Sequence, residues 1–378
     1  MHIRELHTPS LLLDRERMQN NVLAMATRIQ DLGCTLRPHV KTHKSREVLA
    51  QVRSMSKNPG ITVSTLREAR YFFASGEKDI LYAVALTPDK VSGVAALMRE
   101  GCDLKVITDN VEAMGLLAEA ARNEQLVLPV LIEIDVDGHR SGADPRGAAL
   151  LDVARGIDAS PYLELAGVMT HAGGAYDCDS LDDIKRHARQ ERALTVESAQ
   201  RIRALGIDCP MVSIGSTPTA MVVDNLEDVT EVRPGVYTFF DLFQAGLGVA
   251  DLNDIALSVL TTVIGHQKDK ARVIVDAGWM AMSRDRGTAS QAVDQGYGLV
   301  CGIDGVPLSD VIMGAANQEH GIITAREGMP PLDTERFCLG SKWRILPNHA
   351  CATAAQFPSY QVLENDRIVA EWARTSGW

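Results

Sequence analysis

Between about Leu36 and Asp241 the chain repeats one pattern, a short apolar run followed by a longer amphipathic stretch. The runs are TLRPHVK (35–41), ITVS (61–64), DILYAV (79–84), DLKVIT (103–108), PVLIEID (129–135), LELAGVMTH (163–171), MVSIG (211–215) and TEVRPGVY (230–237), eight in all. Most are followed by helical patterns, as over 88–100, 110–123, 147–158 and 181–204. Strands joined by helix-length crossovers pair in parallel, because a tight turn can only reverse the chain. Eight such repeats can close into a (β/α)8 TIM barrel. The competing geometry, an open doubly wound sheet, would carry a G-x-G-x-x-G turn after its first strand, and none is present.

After about residue 255 the character changes. ALSVLTTVIGH, ARVIVDAG, YGLVCGI, DVIMGA, KWRILPNHAC and RIVAEW come in close succession, separated by turn residues and with little helical period. The expected organisation is α/β: a barrel over residues 1–250, then a C-terminal antiparallel β domain over 251–378. SLLLD (10–14) is a candidate extra strand for the second domain. The length of 378 residues agrees, since a barrel takes about 250.

A formal net charge of −11 argues against a nucleic-acid or anionic-membrane partner, while leaving room for a local basic pocket that holds a small anion. Seven cysteines, odd in number and irregular in spacing, suit reduced cytoplasmic thiols better than a disulfide framework. MHIRELHTPSLLLDRER lacks the apolar core of a signal peptide, and no segment approaches the roughly 20 apolar residues of a membrane span. A cytoplasmic protein is expected.

Barrel chemistry comes from the C-terminal ends of strands. Here those ends carry Lys41, Arg140, His171, GSTPT (215–219) and RPGVY (233–237). Lys41 is either a solvated strand end or an amine that condenses with a carbonyl such as pyridoxal phosphate. His39 and His43 flank it and would share its face on an extended backbone. The GSTPT and RPGVY turns can clasp a phosphate together, although each alone is also an ordinary turn. His171 can lie against a cofactor ring with Tyr176 at its polar edge, or be a buried histidine satisfied by backbone. Arg140 either contacts a phenolate or carboxylate, or neutralises Glu133 and Asp135. In the second domain, His349 and Cys351 would project from one face of a strand and could share one cation, for which imidazole plus thiolate suits Zn²⁺.

These segments are similar to those of the fold-type III pyridoxal 5'-phosphate (PLP) enzymes, whose barrel is shared with alanine racemase. The branch is that of D-threonine aldolase and eukaryotic-type D-serine dehydratase. The resemblance runs from TPSLLLD to NHACAT, nearly the whole chain. RPHVKTHKS resembles the PLP-lysine motif, which implies Lys41 as the Schiff-base lysine and catalytic base. THAGGAY, SIGSTPT and EVRPGVYTFFD resemble the ring-contact and phosphate-contact segments. The cofactor-binding residues implied are Lys41, Arg140, His171, Tyr176, Ser216, Thr217, Gly235 and Tyr237. Aldolases of the branch generally carry a His-Cys-Asp run at the metal site and the dehydratases His-x-Cys. His349-Ala350-Cys351 fits the second pattern.

The resemblance implies PLP and a divalent metal, Zn²⁺ first, with Mn²⁺ or Co²⁺ as substitutes. The reaction implied is elimination of water from a D-3-hydroxy amino acid. DAGWMAMSRDRGTA, AANQEHGI and RILPNHACATAAQFP point within the branch to 3-hydroxyaspartate, which would give oxaloacetate and ammonia. D-Serine, giving pyruvate and ammonia, is the alternative. A second substrate carboxylate makes Arg284, Arg286 and His320 candidates, with solvated turns as the other reading. The rivals are an aldolase releasing glycine and an aldehyde, and a PLP-binding homeostasis protein, against which the second domain counts. A homodimer is a family-level expectation.

Overall fold

The computed structural model describes residues 1–56 and 60–378. The chain forms two compact units. One comprises Met1–Leu23, Glu47–Val52 and Val236–Arg374, the other Ala24–Arg46, Arg53–Gly235 and Thr375–Trp378.

In chain order, β1 (Ser10–Asp14) and α1 (Arg15–Asp31) precede the parallel strands and their helices. These are β2 (Thr35–Leu36), α2 (Arg46–Met55), β3 (Ile61–Val63), α3 (Leu66–Phe73), β4 (Asp79–Ala85), α4 (Val91–Arg99), β5 (Asp103–Thr108) and α5 (Val111–Asn123). Next come β6 (Leu128–Ile134), α6 (Ala148–Asp158), β7 (Leu163–Thr170), α7 (Leu181–Arg203), β8 (Met211–Ile214), α8 (Thr217–Val222) and β9 (Glu231–Val232). The sheet order is β2-β9-β8-β7-β6-β5-β4-β3, parallel throughout. The ring closes just beyond β2, where Val40 N–H donates to Thr62 O and Thr62 N–H to Pro38 O, both at 2.9 Å. This is the expected (β/α)8 barrel. Its first and last strands are shorter than their apolar runs because Pro38 and Pro234 have no N–H for a ladder.

Local chemistry agrees with this layout. Every residue of β6 but Pro129 is buried, as befits a barrel strand covered on both faces. Helix α6 buries Leu150, Val153, Ala154 and Ile157, one stripe at helical spacing. Thr65, Asn110 and Ser180 cap α3, α5 and α7 by accepting the N–H groups of Glu68, Ala113 and Asp183. The barrel also buries charge. Arg37 donates from Nε to Glu231 Oε2 (2.6 Å) and from Nη2 to Asp79 Oδ2 (2.8 Å). The Ser213 hydroxyl donates to Glu231 and accepts from Arg233 Nη1 (2.5 Å), whose Nη2 donates to Thr170 O.

The unit of Met1–Leu23, Glu47–Val52 and Val236–Arg374 contains the short helices α9 (Leu242–Gly246), α10 (Trp279–Met282) and α11 (Ala350–Ala354). Its further strands are β10 (Leu257–Gln267), β11 (Arg272–Val275), β12 (Leu299–Cys301), β13 (Pro307–Ala316), β14 (Gly321–Ala325), β15 (Lys342–Leu346), β16 (Ser359–Glu364) and β17 (Arg367–Ala373). The order β11-β14-β13-β12-β15-β10, with β10 pairing back to β11, makes a closed antiparallel barrel, and β1, β16 and β17 extend the sheet from β10. SLLLD is thus a strand of this sheet, antiparallel to β10 and parallel to β16. Among the described residues, no helix is long and apolar enough to cross a membrane.

Leu12 of β1 is fully buried among Ile3, Leu6, Leu260 and Leu363. Leu12→Ala should cost about 2–5 kcal/mol in urea unfolding, the usual cost of a cavity in a packed core. A loss below about 1 kcal/mol would show that the site collapses around the deletion.

Candidate active site

Lys41 does not lie on extended backbone. After the bridge at His39 the chain turns over Val40–His43, and Lys44 N–H donates to Val40 O at 2.8 Å. The three side chains at 39, 41 and 43 therefore do not share one face: Lys41 is exposed, while His43 is wholly buried. Lys44 adopts φ +48°, a left-handed conformation that costs a side-chain-bearing residue energy. Three contacts hold it there. Its ammonium pairs with the buried Glu68 carboxylate (2.9 Å), Glu68 accepts Ser64 N–H (2.9 Å), and Thr375 N–H donates to Lys44 O (2.8 Å).

Two neutral imidazoles accompany Lys41. Burial, then Lys41, Arg233 and His171, push His39 well below the ordinary histidine pKa. Its Nδ1 accepts Lys41 N–H at 3.4 Å. Burial, then Lys41, Arg140 and Arg233, bring His171 down to about 3. His171 is therefore neutral at physiological pH, with Nδ1 3.4 Å from Gly215 O, a contact that assigns the proton to Nδ1. The Tyr176 ring lies 6.1 Å from that of His171, inclined at 42°.

Next to His171 lies the turn after β8. Ser216 caps α8 through Thr219 in a reciprocal box. Gly215 has φ +119°, and a Cβ there would come within 2.8 Å of Val232 Cγ1, so only glycine fits. At Gly235 a Cβ would stand 3.0 Å from His39 O and 3.2 Å from Thr42 Oγ1, pressing on the Lys41 turn. A primary amine, hydroxyls at a helix start, two neutral imidazoles and a phenol form a donor set that fits a phosphorylated aromatic aldehyde. Arg140 is half-exposed and pairs with Glu133 (2.9 Å), the neutralising alternative. Tyr237 belongs to the antiparallel unit and is fully buried there, its phenol pushed upward by burial.

The second candidate cluster lies wholly within that unit. Strand β15 stops at Leu346 because Pro347 comes next, so His349 and Cys351 are not strand neighbours as expected. His349 is the N-cap of α11 and Cys351 its second residue. They still meet, through a side-chain hydrogen bond. His349 Nδ1–H donates to Asp285 Oδ2 at 2.7 Å, leaving Nε2 as the ligating nitrogen. Burial opposes charge on this imidazole, but Cys351, Asp285 and Asp241 outweigh it and hold its pKa well above the usual range. Asp241 also accepts Ala350 N–H (2.9 Å), fixing the start of α11. Such an anionic surround suits a cation. Among the described residues, no group of three or more His, Cys, Asp or Glu is arranged around a metal position. Of the two arginines flanking Asp285, Arg286 is paired with Asp294 (2.6 Å), whereas Arg284 lies over Trp279 and makes no ion pair among the described residues. His320 sits exposed in the turn between β13 and β14.

Sequence reasoning did not single out Glu191, Asp241 or Asp285, and it took Arg233 only as part of the RPGVY turn. One signal for Glu191 was present. It falls on the stripe Ile184, Ala188, Thr195, Ser198 and Ile202, the buried face of α7.

Comparison with known proteins gives two family matches. Residues 13–242 match the model for the alanine racemase N-terminal domain, and residues 256–363 that for a putative serine dehydratase domain. The chain is 50% identical over 374 residues to D-threo-3-hydroxyaspartate dehydratase of Delftia sp. (strain HT23), covering 99% of this chain and 98% of the relative. It is 34% identical to D-serine dehydratase of Dictyostelium discoideum, covering 100% and 98%. A solved cysteine-to-alanine mutant of a D-threo-3-hydroxyaspartate dehydratase, in metal-free form, superposes with a TM-score of 0.97 at 49% identity, covering all of both chains.

An unfolded histidine titrates near 6.5 and folded His171 near 3. As pH falls through that window the unfolded chain binds a proton that the folded chain refuses, so stability declines. His171→Gln should lessen the drop in urea midpoint between about pH 7 and pH 5. An equal drop in both proteins would mean that folded His171 already takes up its proton in that range.

Proposed function

The chain belongs to the alanine racemase N-terminal domain family and carries a serine dehydratase domain, and from that premise we propose that it is a PLP-dependent dehydratase. The substrate is D-threo-3-hydroxyaspartate and the products are oxaloacetate and ammonia, on the strength of the 50% identical relative. The observation that carries this reading is the His349–Cys351 pair with Asp285 behind the imidazole, in a chain whose parallel barrel presents Lys41 beside two neutral histidines.

Lys41, Ser216, Thr217 and Gly235 would hold PLP, with His171 and Tyr176 toward its ring. Arg140 and Tyr237 are lesser contributors, one committed to Glu133 and the other buried in the antiparallel unit. His349 and Cys351 would hold the divalent cation, Zn²⁺ by ligand softness, with Mn²⁺ or Co²⁺ as substitutes. The metal-free cysteine mutant of the relative supports a thiolate ligand. When bound, PLP draws off the electron pair left at Cα and the cation withdraws charge from the departing hydroxyl. Lys41 Nζ takes the Cα proton. His39 and His171, neutral and half-buried, add no competing acid beside it. Asp285 holds the Nδ1 side of the His349 ring and so leaves Nε2 as the nitrogen for the cation. Water lost in the elimination is regained when the released imine hydrolyses. A second substrate carboxylate finds its cation in Arg284, since Arg286 is already paired.

Purified protein given PLP and D-threo-3-hydroxyaspartate should release oxaloacetate and ammonia in equal amounts. Glycine with glyoxylate would instead make it an aldolase. Lys41→Ala should abolish turnover and the absorbance of lysine-bound cofactor, and a surviving band would refute that lysine. EDTA should stop ammonia release and added Zn²⁺, Mn²⁺ or Co²⁺ restore it; release indifferent to EDTA would remove the cation from the reaction. Arg284→Met should lower kcat/KM for 3-hydroxyaspartate about 10- to 100-fold, the worth of a charge-assisted contact, and leave that for D-serine nearly unchanged. Parallel losses on both substrates would deny Arg284 a role in selectivity.

A further inference from the structure

Helix α7 lies on the outside of the barrel strands, yet it sends one carboxylate inward. Glu191 is 1% exposed, and its Oε1 accepts two backbone N–H groups, from Ala172 at 3.2 Å and from Gly215 at 3.0 Å. Ala172 directly succeeds His171 beyond β7, and Gly215 directly precedes Ser216, the N-cap of α8, beyond β8. One side chain therefore ties together two adjacent strand ends. Gly215 is held from both directions, its N–H by Glu191 and its carbonyl by His171. Its positive φ, and the 2.8 Å at which a Cβ would meet Val232 Cγ1, leave that position to glycine. Burial raises the pKa of Glu191, while Thr219, the two backbone donors and the nearby Arg233 favour its charged form.

We propose that Glu191 is a positioning residue for the phosphate of the cofactor: by fixing Gly215 and Ala172 it sets the Ser216–Thr217 donors and the His171 ring in one arrangement. Glu191 acts through backbone and touches neither phosphate nor substrate. The inference rests on the PLP reading of the parallel barrel. It predicts that losing the carboxylate weakens recognition of the phosphate monoester more than recognition of the aldehyde and ring.

The experiment compares apo-forms of the parent, Glu191→Gln and Glu191→Ala, each titrated by absorbance with PLP and with pyridoxal, which lacks the phosphate. The parent's preference for PLP, the ratio of the two Kd values, should fall about tenfold in Glu191→Ala, the equivalent of one charge-assisted hydrogen bond. Glu191→Gln should fall between, because its amide oxygen still accepts both N–H groups but no longer carries the charge that strengthens them. Pyridoxal affinity should stay within about threefold of the parent. A purely structural role would lower Tm and weaken both ligands alike; an unchanged ratio in a folded variant overturns the proposal. If Glu191→Ala does not fold, the ratio for Glu191→Gln decides in the same way. A parent that binds neither compound would refute the cofactor assignment itself, a result distinct from an unchanged ratio.

Discussion

The ion pair of Arg37 with Glu231, sealed inside the parallel barrel, is the interaction on which the remaining geometry leans. Two opposite charges are expensive to bury, and they persist only when paired and fully hydrogen-bonded. Here the pair joins β2 to β9, the neighbours at one seam of the ring, and the Ser213 hydroxyl and Arg233 carry the connection on to the end of β7. Arg233 feels burial strongly enough to be lowered to about 10, and the surrounding Glu231, Glu191 and Glu133 keep it charged at neutral pH. A sheet registered by such a chain cannot slip by one residue without stranding a charge. Lys41, His171, Gly215 and Gly235 all emerge within a few residues of these groups.

Burial first, and then the neighbouring cations, keep the site's histidines electrically silent. With Lys41 and Arg233 adding to the effect of burial on both His39 and His171, the imidazoles serve as shaped, neutral hydrogen-bonding surfaces rather than as acids. The antiparallel unit does the opposite. There an imidazole is surrounded by Cys351, Asp285 and Asp241 and favours a positive guest. One chain thus builds a cationic pocket and an anionic one from the same residue type, by changing only the groups that stand beside it.

Much of this was legible from residues alone, because strand-end positions and helical spacing are local properties. Lys41, His171, Ser216 and Gly235 stand out as candidates on reading the residues at the end of each apolar run. The local backbone at two of the sites could not. Pro347 ends β15 early, which turns an expected strand pair at His349 and Cys351 into a helix start, and the chain winds over Val40–His43 where an extended segment was expected. The supporting groups were harder still. Glu191 meets Gly215 across the gap between a helix and a strand, and Asp285 meets His349 across 64 positions of chain. Periodicity can mark Glu191 as buried; it carries no information about its partners.

The place of β1 has a consequence for how the molecule comes into being. This five-residue strand lies between β10 and β16, so the later sheet is complete only with a strand from far earlier in the chain. Joining Leu12 to Ser258 closes a loop of about 250 residues, a pairing among the slowest for a polypeptide to find. Until then two ladder edges stand open, exposed to any other extended segment nearby. A fragment cut after residue 250 would inherit those edges permanently. The later half is therefore a poor candidate for separate expression or domain grafting, however self-contained its own apolar runs look.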